Sequence, residues 1–301
     1  MTKHMRDKSE VSISANPASL RVAGLTTLAL VAFAGNSVLC RFALKDGSLD
    51  AASFATVRLV SGAVALLIIL YASNRGTRSA SYGSWMSAAM LFLYVVCFSF
   101  AYISLDTGIG ALILFGMVQA TMVIGALWAG DRPAITEWIG WLLAVLGFVY
   151  LVSPGLTAPS PSGSVLMGLA GIAWGVYSLR GRKEPFALAG TTYNFVRSVP
   201  LVIVVSAVSL SDLHLSANGI VLAVLSGAIT SGIGYAIWYT VLRSISSMRA
   251  AMVQLSVPIL AAAGGVLFLA EAVSLRLIVS GLLVLGGIFL AIFGKARLSI
   301  P

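Results

Sequence analysis

Residues 153–163 read Ser-Pro-Gly-Leu-Thr-Ala-Pro-Ser-Pro-Ser-Gly, and this uncharged linker divides the chain into two halves of similar pattern. Its proline and glycine residues prevent the apolar segments on either side from joining into one helix. Five long apolar segments precede the linker and five follow it. The chain of 301 residues is 59% apolar and only 10% charged, whereas soluble domains have about 25% charged residues. This composition predicts a membrane protein.

The apolar segments have the length of membrane-spanning helices. About 20 apolar residues cross a bilayer core that is roughly 30 Å thick. The segments lack the period-two alternation of an outer-membrane β-barrel, and helices satisfy their own backbone hydrogen bonds in lipid. The sequence therefore predicts an all-α membrane protein. The ten predicted spans are residues 21–43, 52–72, 84–105, 108–129, 134–153, 163–181, 190–210, 217–243, 248–270 and 274–295.

The second half repeats charged positions of the first. Arg41 ends the first segment and Arg180 ends the sixth, 139 positions later. Arg58 and Arg197 lie near the starts of the second and seventh segments, with the same separation. Because five is odd, the second half must enter the membrane from the opposite side, and such inverted repeats place the substrate site between them, near the midplane. The predicted parts are a cytoplasmic tail at residues 1–20, a first five-helix repeat at 21–153 and a second at 163–295.

The positive charges cluster on one side of the predicted spans. A net charge of +9 is also typical of nucleic-acid binding, but here the lysines and arginines flank the spans. With a cytoplasmic N-terminus, only Arg41, Lys45, Arg58 and Arg276 of the 19 lie elsewhere. The positive-inside rule then places both termini in the cytoplasm. We expect no nucleic-acid partner.

Short motifs in both halves resemble one family of carriers. They are Gly-Asn-Ser-Val-Leu-Cys-Arg at 35–41, Phe-Ala-Thr-Val-Arg at 54–58, Ala-Trp-Gly-Val-Tyr at 173–177, and Pro258 followed by Gly264, Gly265 and Glu271. In this order they resemble the drug/metabolite transporter superfamily, in its ten-helix bacterial exporter branch with two EamA-type units. The resemblance covers residues 20–296. It implies an inner-membrane exporter of amino acids, other metabolites or drugs, with helices one, three, four, six, eight and nine around the central path.

Aromatic residues inside the spans are the first candidates for substrate binding. They pair at a spacing of three or four, which places each pair on one helical face. The pairs are Trp174 and Tyr177, Tyr235 and Trp238, and Tyr94 and Phe98. Aromatic belts occupy membrane interfaces, but Trp174 and Trp238 lie well inside their spans. The steps in helices six and eight are similar to those of aromatic amino-acid exporters, whereas Val95 and Val96 after Tyr94 depart from that pattern.

Polar and helix-breaking residues form the second group of candidates. Asn36, Gln119 and Gln254 each carry several hydrogen-bonding groups, which indicates a cavity or a protein partner. Pro258, near the middle of the ninth predicted span, is expected to bend that helix and free a carbonyl oxygen for the substrate path. Gly116 is expected to supply the corresponding flexibility in the first half.

Charged residues within the spans are few. An arginine at a helix centre costs about 2.5–3.5 kcal/mol on insertion scales. Arg58 and Arg197 are therefore expected to snorkel or to bind carbonyl groups at helix ends. No Asp or Glu lies in mid-span, and His4 and His214 lie outside the spans. Coupling to protons or cations through these groups is not expected.

Together these patterns predict a secondary transporter that exports small amphipathic metabolites, amino acids foremost, by alternating access through a central cavity. A nucleotide-sugar or phosphorylated-metabolite carrier is the alternative, although dianions favour several Arg or Lys at the midplane. An intramembrane enzyme is a second alternative, without a nucleophile–base pair or metal-ligand motif in its favour. We expect no catalytic residue, metal or cofactor. The expected partners are the substrate and the lipid bilayer, with a monomer favoured over a homodimer.

Overall fold

The computed structural model describes residues 17–73, 82–128, 130, 134–155, 158–182, 184–242, 244–245, 250 and 253–298. Residues 1–16 of the predicted cytoplasmic tail lie outside the described residues.

The described residues fold into long helices. Their bounds are α1 Pro17–Lys45, α2 Ala51–Ala72, α3 Trp85–Ala101, α4 Thr107–Trp128, α5 Ile135–Val152, α6 Pro161–Gly181, α7 Ala187–Val208, α8 Ala217–Leu242, α9 Ser256–Leu269 and α10 Leu275–Leu298. Among them, seven are long and apolar enough to cross a membrane, and α3, α9 and the first part of α10 are shorter apolar helices. No β-strand forms in this part of the chain, so the all-α prediction is confirmed.

Several helix starts follow local sequence signals. Asp50, Ser84 and Ser160 are N-caps of α2, α3 and α6, and each side chain accepts a hydrogen bond from the backbone N–H three residues later. Such a bond satisfies one of the free donors in the first helical turn. Pro161 follows Ser160 at the start of α6, where a missing N–H has no cost. The last residues of the linker therefore form the start of α6.

Helices of one half pack mainly against helices of the other. The main pairs are α2 with α7 and α8, α3 with α6 and α7, α1 with α8 and α9, α4 with α6 and α9, and α5 with α10. Gly140 of α5 and Gly287 of α10 cross so closely that a Cβ atom on either would collide with the other's carbonyl oxygen. Exchanging α1–α5 with α6–α10 converts each of these pairs into itself or into another pair of the same set.

Helix α3 shows where corresponding ends of the two halves lie. Arg41, near the end of α1, donates from Nη1 to the carbonyl oxygen of Tyr102, 3.0 Å away, at the C-terminal end of α3. Arg180, near the end of α6, donates to the hydroxyls of Ser84 and Ser87 at the N-terminal end, at 3.2 Å and 3.1 Å. The helix between them is about 25 Å long at 1.5 Å per residue. The two arginines therefore lie at opposite ends of α3.

The middle of α8 departs from a regular α-helix. Residues Leu225–Ile233 are π-helical, a form that often marks functional sites. Gly227 in this π segment lies against the Arg58 carbonyl oxygen and the Ser61 hydroxyl of α2, and a Cβ atom would collide with both. Apolar periodicity predicts one continuous α-helix here, because it does not distinguish a short π-helical segment from α-helix.

The ninth span begins differently from the prediction. The sequence places Pro258 near the middle of a continuous helix, but α9 starts at Ser256, so Pro258 lies in its first turn. Val253 and Gln254 are helical and Leu255 forms a turn before α9. Proline suits a first turn because no intrahelical N–H bond is lost there. The span is thus interrupted before Pro258 rather than bent at it.

Candidate functional site

Aromatic residues from three helices meet around Trp174. The centroid of its ring lies 4.9 Å from that of Tyr94 on α3 and 5.1 Å from that of Tyr235 on α8. Tyr177, one turn along α6, stacks on Trp174 at 5.4 Å, and Phe98 lies 5.4 Å from Tyr94. These five residues form the aromatic cluster. Periodicity predicts the face of each helix, and the structure shows that the three faces converge.

Trp238 joins the aromatic cluster through Phe33 of α1. The Phe33 ring is edge-on to Trp238 at 5.5 Å and to Tyr235 at 5.8 Å. Phe195 of α7 also meets Tyr235 edge-on, at 5.9 Å. Neither Phe33 nor Phe195 stands out in the sequence, because a buried phenylalanine carries no polar group or spacing that separates it from ordinary core residues.

A cavity of about 270 Å³, termed the vestibule, lies against the aromatic cluster. Its wall includes Trp174, Tyr235, Trp238, Ser178, Arg182, Glu184, Tyr239 and Gln254. Gln254 therefore lies beside the predicted aromatic residues. Arg182 and Glu184 come from the connection between α6 and α7, at the Arg180 end of α3. Aromatic surface with a few polar groups suits an amphipathic molecule.

Asn36 connects α1 to the π segment of α8. Its Oδ1 accepts hydrogen bonds from the hydroxyls of Ser226 at 2.9 Å, Thr230 at 2.7 Å and Ser231 at 3.1 Å. The Thr230 hydroxyl oxygen also lies 2.9 Å from the Ser226 carbonyl oxygen. Because a threonine hydroxyl has a single proton, it donates to either Asn36 or Ser226 at any one time. Asn36 is only 3% exposed. Its amide oxygen therefore joins α1 to α8 in this conformation.

Arg58 is a buried charge next to the aromatic cluster. It is 1% exposed, its Nε donates to Ser231 Oγ at 3.2 Å, and its Nη2 donates to the Tyr94 hydroxyl at 3.0 Å. The guanidinium carbon lies 4.8 Å from the Phe98 ring centroid. The prediction that Arg58 snorkels or binds helix-end carbonyls is wrong. Its side chain lies between the π segment and α3. There the guanidinium contacts hydroxyl groups and aromatic rings instead of water or helix-end carbonyl groups.

Arg197, the counterpart of Arg58, does bind a backbone carbonyl group. Its Nη1 donates to the carbonyl oxygen of Tyr82, just before α3, at 2.8 Å. Two arginines at equivalent sequence positions therefore have different surroundings. A charge two turns inside a span is the signal that identifies Arg58 as a functional candidate.

Gln119 and Gly116 lie apart from the aromatic cluster. Both line an apolar groove of about 470 Å³ formed by residues of α4, α5 and α10, such as Trp138 and Val284. Gln119 Nε2 is buried without a hydrogen-bond partner in the described part of the chain. A Cβ atom on Gly116 would meet Val284 only at an ordinary 3.8 Å. The structure thus does not bring these two residues to the vestibule, because they face away from α6 and α8.

A terminal ion-pair cluster lies at the other end of the bundle from the vestibule. Arg41 Nε is 3.3 Å from Glu271 Oε1, and Arg41 Nη2 is 3.4 Å from Asp106 Oδ1. Glu271 Oε2 also accepts the backbone N–H of Thr107 at 2.9 Å. The terminal ion-pair cluster, Arg41, Asp106 and Glu271, therefore joins the C-terminal end of α1 to the start of α4 and the residues after α9.

Comparisons with known proteins agree with this architecture. Residues 161–293 match the EamA-like transporter family. The uncharacterized protein PA1977 of Pseudomonas aeruginosa is 46% identical over 266 residues, which cover 88% of this chain and 92% of that protein. The uncharacterized transporter YoaV of Bacillus subtilis is 21% identical over 256 residues, 81% of this chain and 88% of YoaV. An uncharacterized transporter of Archaeoglobus fulgidus is 23% identical over 205 residues, 66% of this chain and 73% of that protein.

A solved crystal structure is similar in fold. It aligns with a TM-score of 0.67 and 17% identity, over 92% of this chain and 98% of that chain. The similarity extends across both halves, although identity at this level shows the fold alone. The family match of the second half, together with relatives that are named as transporters, supports an EamA-type domain in this chain. The chain carries an EamA-like transporter domain at residues 161–293 and is a multi-pass membrane protein.

Proposed function

We propose that this protein exports small amphipathic metabolites, amino acids foremost, across the bacterial inner membrane by alternating access. The observation that carries the proposal is the aromatic cluster at the wall of the vestibule. Tyr94 comes from the first half of the chain and Trp174 and Tyr235 come from the second. Aromatic faces can hold an apolar side chain, while the polar vestibule groups serve the charged end of an amino acid.

Two inverted five-helix repeats would supply the mechanism. The helix pairs remain the same set when the halves are exchanged, and Arg41 and Arg180 lie at opposite ends of α3. Both observations support halves that run in opposite directions across the membrane. Each half can then adopt the conformation that the other has just left, so the central site opens to each side in turn.

The two ends of the bundle differ: one holds the terminal ion-pair cluster beside a cavity of about 310 Å³, and the other holds the vestibule. At the Arg41 end, the terminal ion-pair cluster joins three helix ends. At the Arg180 end, the vestibule reaches the aromatic cluster. If both termini are cytoplasmic, as the positive charges favour, the vestibule faces the cytoplasm. That orientation is the one in which an exporter loads its substrate.

A nucleotide-sugar or phosphorylated-metabolite carrier is the alternative function. A dianion favours several converging cations, whereas among the described residues Arg58 is the one cation with its guanidinium over rings of the aromatic cluster. This single charge favours zwitterions and monoanions.

Flux into reconstituted liposomes tests the function. The panel is labelled phenylalanine, threonine and a nucleotide sugar, each with and without a pH gradient. We expect amino-acid flux, and we expect Trp174→Ala to lower phenylalanine flux about tenfold and threonine flux less, because threonine has no ring to stack. Trp128→Ala, at a side chain that is 88% exposed, is the matched control. Flux of the nucleotide sugar without amino-acid flux would overturn the proposal.

Thiol labelling tests the inverted repeats separately. Asp46 follows α1 and Arg182 follows α6, and both are exposed. In a background without Cys40 and Cys97, Asp46→Cys and Arg182→Cys should react with an impermeant maleimide from opposite faces of oriented vesicles. Labelling of both from one face would contradict the inverted arrangement.

A further inference from the structure

We infer that Arg58 binds the carboxylate of the transported molecule, so that the site takes compounds with one carboxylate and an apolar or aromatic body. The inference rests on the proposed transport function and adds the chemical group that the central site requires.

Arg58 has no counter-ion among its described contacts. Its two hydrogen-bond acceptors, Ser231 and Tyr94, are neutral hydroxyls, and its other close contacts are the rings of Tyr94 and Phe98. Ring faces attract a cation but do not neutralise it. A buried charge without an opposite charge is strongly unfavourable. An anion that enters from outside the protein would supply the missing charge.

One donor group of Arg58 is left for that anion. Nη1 is buried and has no hydrogen-bond partner in the described part of the chain. Nη2 carries two N–H groups, and its one hydrogen bond among the described residues goes to the Tyr94 hydroxyl. The planar guanidinium matches the two oxygens of a carboxylate with parallel N–H bonds. A carboxylate can bind Nη1 first and then replace Tyr94 at Nη2, while Nε keeps Ser231.

The rings beside Arg58 connect it to the vestibule, where the rest of the molecule would lie. Tyr94 contacts Arg58 on one side and Trp174 on the other, and Trp174 borders the vestibule. Arg58 is thus separated from the vestibule by one layer of rings. A carboxylate at Arg58 leaves the apolar body of the substrate against these rings. Displacement of Tyr94 would couple substrate binding to movement of α3 relative to α6.

The charge of the site favours a carboxylate over a phosphate. A phosphate dianion needs a second positive group, and the described hydrogen-bond and ring contacts of Arg58 include none. The hydroxyl of Ser231 already donates to Asn36 at 3.1 Å, and the Tyr94 hydroxyl can donate one further hydrogen bond. One cation with neutral neighbours balances a single negative charge.

Calorimetric titration of the full-length protein in nanodiscs tests this assignment. The ligands are 3-phenylpropionate, which has the carboxylate but no amine, L-phenylalaninamide, which has the amine but no carboxylate, L-phenylalanine, and glucose 6-phosphate. We expect 3-phenylpropionate and phenylalanine to bind at least about tenfold more tightly than phenylalaninamide, as a charge-assisted hydrogen bond implies. Phenylalaninamide binding as tightly as phenylalanine would overturn the assignment, as would absence of carboxylate binding or tighter binding of glucose 6-phosphate.

Variants then locate the group responsible. Arg58→Gln should weaken 3-phenylpropionate at least about tenfold, and Arg58→Lys should weaken it less, because the charge remains while the planar fork is lost. Arg21→Gln removes an exposed charge and should have no effect. Unchanged 3-phenylpropionate affinity in a folded Arg58→Gln protein would overturn the assignment. If Arg58→Gln does not fold, the affinity of Arg58→Lys for 3-phenylpropionate and the ligand series on the wild-type protein test the assignment instead. Carboxylate binding without flux of any amino acid would overturn the proposed substrate while it supports the role of Arg58.

Discussion

Glu271 and Asp106 contact the same arginine at nearly the same distance but differ in burial. Their carboxylate oxygens lie 3.3 Å and 3.4 Å from Arg41 nitrogens, and their side chains are 8% and 49% exposed. An exposed ion pair contributes about 0–1 kcal/mol, whereas loss of one partner from a buried pair costs about 3–5 kcal/mol. The amide oxygen of Glu271→Gln can still accept the Thr107 N–H. We therefore expect this change to lower the free energy of unfolding by about 3 kcal/mol, at the lower end of that range, and Asp106→Asn to lower it by less than about 1 kcal/mol.

Unfolding of the purified protein in mixed micelles, with increasing fractions of dodecyl sulfate, measures both changes. Arg41→Gln and the double variant Arg41→Gln/Glu271→Gln complete a double-mutant cycle, which isolates the interaction between the two side chains. The effect of Asp106→Asn should also shrink in high salt, because exposed charges are screened. Equal losses for the two carboxylates, or additivity of Arg41→Gln and Glu271→Gln, would refute the reasoning from burial.

Two further changes test the contacts of α8. Asn36→Ala removes the acceptor of three hydroxyls and should lower the free energy of unfolding by about 1–3 kcal/mol, since intramembrane hydrogen bonds average about 0.6 kcal/mol each. In the Asn36→Ala protein, Ser226→Ala should then cost little further stability. Full additivity of the two changes would contradict a hydrogen bond shared by these residues. Gly227→Ala places a methyl group against the Arg58 carbonyl oxygen and should cost about 1–3 kcal/mol. Gly281→Ala, with no atom within 4 Å of its added Cβ, is the control, and equal stability of the two variants would contradict the tight crossing of α2 and α8.

The aromatic cluster shows what periodicity alone can predict. Trp174 and Tyr177 are three positions apart, so they share a face on any α-helix, and their rings stack at 5.4 Å. The same reasoning places Tyr94 and Phe98 together on α3. What spacing cannot predict is that these faces turn toward one another, or that Phe33 of α1 links Tyr235 to Trp238. The direction in which each face points depends on helix packing between the two halves.

Arg58, Gln119 and Pro258 show the opposite case. The sequence indicates that burying Arg58 is costly, but it does not show which hydroxyls accept its hydrogen bonds. Nor does it show that Gln119 faces the groove lined by α5 and α10. Pro258 predicts a break in the helix but not its position, because the turn at Leu255 comes before the proline.

The sequence is enough to show that this is a helical membrane protein and to place most of its helices. It could do so because bilayer thickness and helical winding act on residues that are contiguous in the chain. The environment of Arg58, by contrast, depends on contacts between residues far apart in the chain. Arg58 and Ser231 are 173 positions apart, and Asn36 and Ser231 are 195 apart. Contacts at such separations depend on how α1 and α2 pack against α8, which no local pattern encodes.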